Sequence, residues 1–208
     1  MVKKEIKCLH YEMSDDERES YNNLWDEYLS KQDDIEKSEN NKQLIEISLM
    51  RQWLADKMIP KTVSLVNKCV ELGRKVVVFC AFDNEIDKLR KAFDGYCVYH
   101  NGKISLKKKN EAVDRFQNDD NIKVFVGNIQ SSSVGLTLTA GSVVVFNNFS
   151  FTAADNSQAE DRIYRIGQTK PCTIYYQSFN DTYFDRMLEI VHRKEDVTNK
   201  IIVRESEK

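Results

Sequence analysis

The stretch Lys75-Val76-Val77-Val78-Phe79 decides how this chain folds. Its four consecutive apolar residues are too few for a helix. They lack the alternation of a half-exposed strand, so the run reads as a strand buried on both faces. Similar runs follow at 96–99, 124–126, 143–146 and 173–176. Helical patterns lie between them, near 84–93, 105–117 and 154–165, and a last one spans about 182–199. Strand and helix in alternation imply right-handed βαβ units. The expected fold class is therefore α/β: a parallel sheet flanked by helices.

Upstream the texture is different. Residues 3–12 alternate weakly and are expected to form a strand, with Ile6, Cys8 and His10 on one side. Ser14-Asp15-Asp16-Glu17 is a helix start, with Ser as N-cap and Glu three residues on as in a capping box. The helix it opens carries Tyr21, Leu24, Trp25 and Tyr28 and is expected to run to about Ser30. Residues 31–42 are polar and charge-rich and read as a loop. A second helix carries Leu44, Ile47, Leu49 and Trp53; a third is expected to begin at Pro60, which suits a first helical turn, and to end near Gly73. The expected division is a helical protrusion over 1–57, the α/β lobe over 58–180, and a C-terminal helix and tail over 181–208.

Composition narrows the function classes. The chain has 208 residues, 41% hydrophobic and 31% charged, with a net charge of −2. That balance fits a globular protein and does not predict a global field for polyanions, so a nucleic-acid surface must be a local patch. The five cysteines show no C-x-x-C spacing and read as reduced, mostly buried thiols of an intracellular protein. The three histidines lie far apart, which argues against a zinc site. No signal peptide and no membrane-spanning apolar run is visible, so no membrane partner is expected.

Three polar segments carry candidate chemistry. In open parallel sheets ligands bind beyond the carboxyl ends of the strands. His100-Asn101-Gly102-Lys103-Ile104-Ser105 follows an expected strand and leads into Lys107, Lys108 and Lys109. Lysines at a helix start oppose the macrodipole, so an anion such as a phosphate backbone belongs nearby; the bland alternative is a solvated charge run. Asn128 through Thr137, with Ser131, Ser132, Ser133 and Gly135, offers hydroxyls and backbone N–H groups, or is an ordinary turn. The third segment is Gln158-Ala159-Glu160-Asp161-Arg162-Ile163-Tyr164-Arg165-Ile166-Gly167-Gln168. On a helix, 158, 161, 162 and 165 share one face, and two guanidinium groups one turn apart make a fork for phosphate oxygens. The bland alternative there is a surface helix ended by Gly167. Gln168-Thr169-Lys170 fails the phosphate-loop pattern, no G-x-G-x-x-G exists, and nothing marks a hydrolytic triad.

In order, these pieces resemble the second RecA-like lobe of the Swi/Snf-type DNA translocases of helicase superfamily two. The resemblance runs from about Lys57 to Lys200, anchored on Lys75–Phe79, Gly102–Phe116, Gly135-Leu-Thr-Leu-Thr139-Ala and Gln158–Gln168. The form Gly-Leu-Thr-Leu-Thr-Ala looks most like the annealing-helicase branch. Residues 3–56 look like the end of the first-lobe protrusion. The resemblance implies that Arg165 is an arginine finger for the ATP γ-phosphate, with Arg162, Gln158 and Asp161 lining the same cleft. It implies that Gly135 and Thr137 couple nucleotide to DNA. It places Ser131, Ser132, His100, Gly102, Lys103 and the three lysines along the DNA track. Tyr183, Met187 and Ile190 resemble the helix that braces the lobes.

Three departures are visible. Lys109 stands where the family usually has Arg, Phe151-Thr152-Ala153 replaces a Trp-Asn/Asp-Pro sequence, and Phe184 stands where an acidic residue is common. The second is expected to loosen the entry to the motif helix, because Pro pre-sets a first turn. The chain contains no phosphate-binding loop and no acidic Mg²⁺ motif, so ATP and Mg²⁺ are expected to be held mainly by an N-terminal RecA-like lobe. The chain alone is expected to be inactive. The expected partners are that lobe and double-stranded or branched DNA. The expected location is cytoplasmic, beside the nucleoid, in a microbe or virus and nuclear in a eukaryote. The alternative is a non-catalytic nucleic-acid-binding or adaptor module with the same fold.

Overall fold

The structure is a computed structural model that describes residues 2–33, 40–130, 135–193 and 202–206. Its elements are β1 (Lys4–Tyr11), α1 (Asp15–Asp33), α2 (Asn40–Glu71), β2 (Val76–Cys80), α3 (Asp83–Ala92), β3 (Cys97–His100) and α4 (Leu106–Asn118). Then come β4 (Val124–Asn128), β5 (Val143–Phe146), α5 (Ala153–Glu160), β6 (Cys172–Phe179), α6 (Tyr183–Arg193) and β7 (Ile202–Ser206). The described strands form one sheet in the order β3-β4-β2-β5-β6-β1-β7. Every pairing in it is parallel. This is the α/β parallel sheet flanked by helices that the apolar runs predicted, and it agrees with the RecA-like lobe that the resemblance implies.

The period of two along β2 explains why its run is wholly apolar. Val77 and Phe79 join Phe125, Val144, Phe146, Ile174 and Tyr176 in one core. Val76, Val78 and Cys80 join Val124, Val126, Val143 and Val145 in the other. All five β2 residues are fully buried, because helices cover both faces. On the first face an aromatic column runs across three strands. Phe79 and Phe146 lie 5.6 Å apart, and Phe146 stacks on Tyr176 at 4.5 Å.

The amino-terminal part departs from expectation in two places. α2 is one helix through Pro60, not two helices broken before it. Proline removes one intrahelical bond, but Leu54, Met58 and Val66 on either side are fully buried, and that packing carries the helix through. The boundary expected near residue 58 therefore falls inside α2, while β1 lies in the main sheet beside β6. The expected loop over 31–42 is helical at 31–33 and at 40–42; its residues 34–39 lie outside the described residues, as does the side chain of Leu44. The start of α1 is as read: Glu17 N donates to Ser14 Oγ at 3.3 Å and Ser14 N to Glu17 Oε2 at 3.2 Å.

At the other end α6 stops at Arg193, and 194–201 lie outside the described residues. Phe184 is fully buried and Met187 nearly so, while Ile190 remains 55% exposed. β7, in a region read as tail, pairs with β1.

A buried polar chain lies at the carboxyl ends of the central strands. Tyr11 OH donates to Gln177 Oε1 at 3.2 Å, and Gln177 Nε2 to Thr62 Oγ1 at 2.8 Å. Thr62 donates to Asn147 Oδ1 at 2.7 Å, and Asn147 Nδ2 to Glu85 Oε2 at 2.7 Å. Asn148 Nδ2 reaches Glu85 Oε1 at 3.3 Å, and Arg51 Nη2 reaches Asn148 Oδ1 at 3.1 Å. Burial pushes the Glu85 carboxyl up to about 7, against the hydrogen bonds from Asn147, Phe82, Asn148 and Ala81, which favour its ionised form.

Candidate functional site

The two arginines do not share a helix face with Gln158. α5 ends at Glu160, and the chain continues in tight turns: Arg162 N bonds Ala159 O at 3.1 Å, Ile163 N bonds Glu160 O at 3.2 Å and Gln168 N bonds Arg165 O at 2.9 Å. Long-range anchors outcompete continuation of the helix. Leu138 N donates to Arg162 O at 2.9 Å, and Ile163 is fully buried. Gly167 turns the chain at φ +99°, a conformation open to glycine. Gln168 Nε2 then reaches Gly141 O at 2.8 Å, Ile163 O at 2.9 Å and Thr139 O at 3.2 Å. Gln168 is thus the residue that fixes the turn. The sequence offered one signal for it: an amide directly after a glycine break.

The helix entry is firmer than its sequence promised. Asn156, fully buried, accepts from Ser150 N at 2.8 Å and donates to Ser150 O at 2.9 Å. That two-way bond sets the first turn which a proline at 153 would have pre-set.

The turn still brings the expected side chains together. Gln158, Asp161, Arg162 and Arg165 line a cleft of ≈ 740 Å³, with Tyr164 and Val2 among its walls. Arg165 is exposed, and its Nη1 donates to Thr137 Oγ1 at 3.3 Å. Gly135, two residues before Thr137, is exposed at φ +40°. Arg162 is half-buried; burial and the Arg165 charge push its pKa down, with Asp161 opposing. Two cations held side by side in a cleft gain most from an oxyanion that both can bind. The cleft lies at the amino ends of β5, β6 and β1, since Gly141 precedes β5 and Cys172 pairs with Lys4. The carboxyl-end rule does not find it.

The second group sits at the opposite end of the sheet. Gly102, Lys103, Lys107 and Lys108 are exposed and Lys109 is half-buried. Asn101 Oδ1 accepts from Lys103 N at 3.1 Å and Ile104 N at 3.2 Å, shaping the loop, and Ser105 caps α4 through Lys108 N at 3.4 Å. Lys103 Nζ lies 2.9 Å from Asp83. His100 departs from expectation: only 2% exposed, its ring packs 6.3 Å from Phe125, so it supports the loop from below. Ser131 and Ser132 lie outside the described residues.

Other chemistries find no footing among the described residues. Ser178 Oγ and Asp185 Oδ1 both meet the same ring nitrogen of His10, Nδ1, at 3.0 Å, so no relay through the imidazole is built. The five cysteines are free; Cys97 is half-buried and pushed up to about 12 by burial, and burial raises Cys80 well above its ordinary value too, so neither is a ready thiolate. Among the described residues no group of three or more His, Cys, Asp or Glu side chains is placed to hold a metal ion. No helix among them is long and apolar enough to cross a membrane.

Comparison with known proteins gives these observations a context. Residues 57–167 match the family of the helicase conserved C-terminal domain. An ATP-dependent helicase fft3 of Schizosaccharomyces pombe is 28% identical over 145 residues, covering 68% of this chain and 16% of that protein. A Caenorhabditis elegans homolog of "SWI/SNF-related matrix-associated actin-dependent regulator of chromatin subfamily A-like protein 1" is 34% identical over 131 residues, covering 62% of this chain and 19% of the relative. The chain thus spans less than a fifth of either protein. Among solved structures, the Sulfolobus solfataricus SWI2/SNF2 ATPase core in complex with dsDNA superposes with TM-score 0.77 at 18% identity, over 93% of this chain and 45% of that one. The C-terminal part of the Fun30 ATPase domain superposes with TM-score 0.71 at 15% identity, over 97% and 90%.

Proposed function

Because this chain belongs to the helicase conserved C-terminal domain family, as a lobe of the Swi/Snf type, we propose that its amino-end cleft completes an ATP site whose other half lies on a phosphate-loop lobe. The observation that carries this reading is the exposed Arg165 beside Arg162, on a turn fixed by Gln168 and Leu138. In this role Arg165 reaches the γ-phosphate, while Arg162, Gln158 and Asp161 line the nucleotide cleft. An arginine from a second domain stabilises transition-state charge only when the cleft closes, so hydrolysis becomes tied to motion. The described residues hold no donor set that fits Mg²⁺ alone. By itself the chain does not hydrolyse ATP, for it lacks the backbone cradle and lysine that hold the β- and γ-phosphates.

The carboxyl-end surface binds DNA. The segment between β4 and β5 supports a coupling role for Gly135 and Thr137. Ile129 N bonds Cys80 O at the carboxyl end, while Leu138 N bonds Arg162 O at the amino end. One connection therefore touches both surfaces. The substrate is duplex or branched DNA, and the protein works in the compartment that holds it.

Changing Lys107, Lys108 and Lys109 together to glutamine tests the DNA surface. DNA binding should weaken, and the slope of log K against log salt should flatten by about 0.9 for each phosphate no longer neutralised, up to roughly 2–3 in all. An unchanged slope removes this patch from the track.

A further inference from the structure

We propose that Lys4, on β1, is a positioning residue for the arginine turn. The proposal rests on the reading that Arg162 and Arg165 bind nucleotide phosphates. Lys4 lies outside residues 57–167, where the family match falls. The sheet nevertheless brings it to the turn. In the β1–β6 register Lys4 stands opposite Cys172, the first residue of β6, and Cys172 N donates to Lys3 O at 2.8 Å.

From there the side chain reaches inward. Lys4 Nζ lies 2.5 Å from Glu160 Oε2 and 3.6 Å from Asp161 Oδ1, and 5.2 Å from the Tyr164 ring centroid. The Lys4 side chain is 12% exposed and that of Glu160 is 0% exposed. The other carboxylate oxygen of Glu160 accepts from Tyr176 OH on β6 at 2.7 Å. Glu160 is therefore gripped from two neighbouring strands.

Glu160 is also the last residue of α5, and its carbonyl oxygen accepts from both Ile163 N and Tyr164 N at 3.2 Å. Where its carboxylate sits decides where the turn starts. A buried carboxylate that loses a close cation must protonate or move outward. Outward movement pulls on the backbone that carries Arg162 and Arg165, and protonation loosens the ionic anchor that holds it in place. Gln168 holds the far side of the turn and Lys4 the near side, so the guanidinium fork is clamped at both ends. Val2, two residues before Lys4, lines the cleft itself. The first strand is thus part of the site's wall, and its lysine sets the fork's aim without touching the nucleotide.

The test uses the 208-residue chain with sodium tripolyphosphate as probe, read by arginine Nε–Hε NMR shifts and by backbone amide shifts of the sheet. In the wild type the probe should shift Arg162 and Arg165, and Arg165→Ala should remove the binding. Lys4→Met should keep the sheet amides in place and weaken binding ~10-fold, while Lys4→Arg, which keeps the cation, should recover to within about threefold. Should Lys4→Met fail to fold, Lys4→Gln, which removes the cation but keeps a polar side chain against Glu160, is measured in its place and should show the same loss. Wild-type affinity in folded Lys4→Met or Lys4→Gln overturns the proposal, as does loss without recovery in Lys4→Arg. Binding that is indifferent to Arg165→Ala overturns the phosphate reading itself, whatever the Lys4 variants do.

Discussion

Arg165→Ala is expected to lower DNA-stimulated ATP hydrolysis by ~10³–10⁵-fold once this lobe is joined to a phosphate-loop lobe, the range for an arginine finger. The structure supplies the reasons. Arg165 is exposed, its Nη1 makes a long 3.3 Å hydrogen bond to Thr137 Oγ1, and it sits on a turn held by Gln168 and by Leu138. It is held in place yet open to a ligand. The loss should fall mainly on kcat, because the finger acts where charge develops in the transition state. Arg165→Lys should recover little, since an ammonium lacks the planar fork. Steady-state hydrolysis with saturating DNA is the measurement, and a rate near wild type for Arg165→Ala removes the finger assignment.

The second large effect is on stability and concerns Glu85. Its carboxyl is raised from 4.5 to about 7 in the fold, chiefly by burial. The folded state therefore binds a proton that the unfolded state has already released between those values. Stability from this group is fully present below about pH 4.5 and is lost as the pH rises through about 7. A shift of that size corresponds to roughly 3 kcal/mol. Urea unfolding at about pH 5 and about pH 8 should show a fall of about 2–3 kcal/mol in wild type that is largely absent in Glu85→Gln. The amide has one acceptor oxygen where the carboxyl group has two, so in Glu85→Gln it cannot accept from Asn147 Nδ2 while also accepting from Phe82 N and Ala81 N, and the variant is expected to be weaker at the lower pH. The informative quantity is the difference between the two pH values, and equal differences in both proteins would contradict the assignment.

The sheet was legible because strands buried on both faces must be apolar at every position. Val143–Phe146 reads off the sequence to the residue, and β2 lies within one residue of its run. What failed to show was settled by contacts distant in sequence. Pro60 marks a helix start by local rule, yet Leu54, Met58 and Val66 bury on both sides of it and keep α2 whole. The helix over 154–165 has good local pattern, but Gln168 finds acceptors 27 and 29 residues away and the turn replaces its last part. The carboxyl-end rule located the lysine surface and missed the arginine cleft, because α5 runs back to the amino ends before the motif finishes. Nothing local distinguishes Glu85 within the helical pattern near 84–93, because its partner Asn147 lies 62 residues on. The grouping of Arg162, Arg165, Gln158 and Asp161 survived the loss of its helical rationale, because the cleft gathers them by another route.

The central claim is that this lobe holds half of a nucleotide site. ATP hydrolysis measured with duplex DNA, for the 208-residue chain alone and for the same chain joined behind a phosphate-loop lobe of a Swi/Snf relative, tests it most directly. No turnover above background is expected for the chain alone, and Arg165-dependent turnover is expected for the joined protein. Turnover by the purified chain alone, or turnover in the joined protein that ignores Arg165, would contradict it.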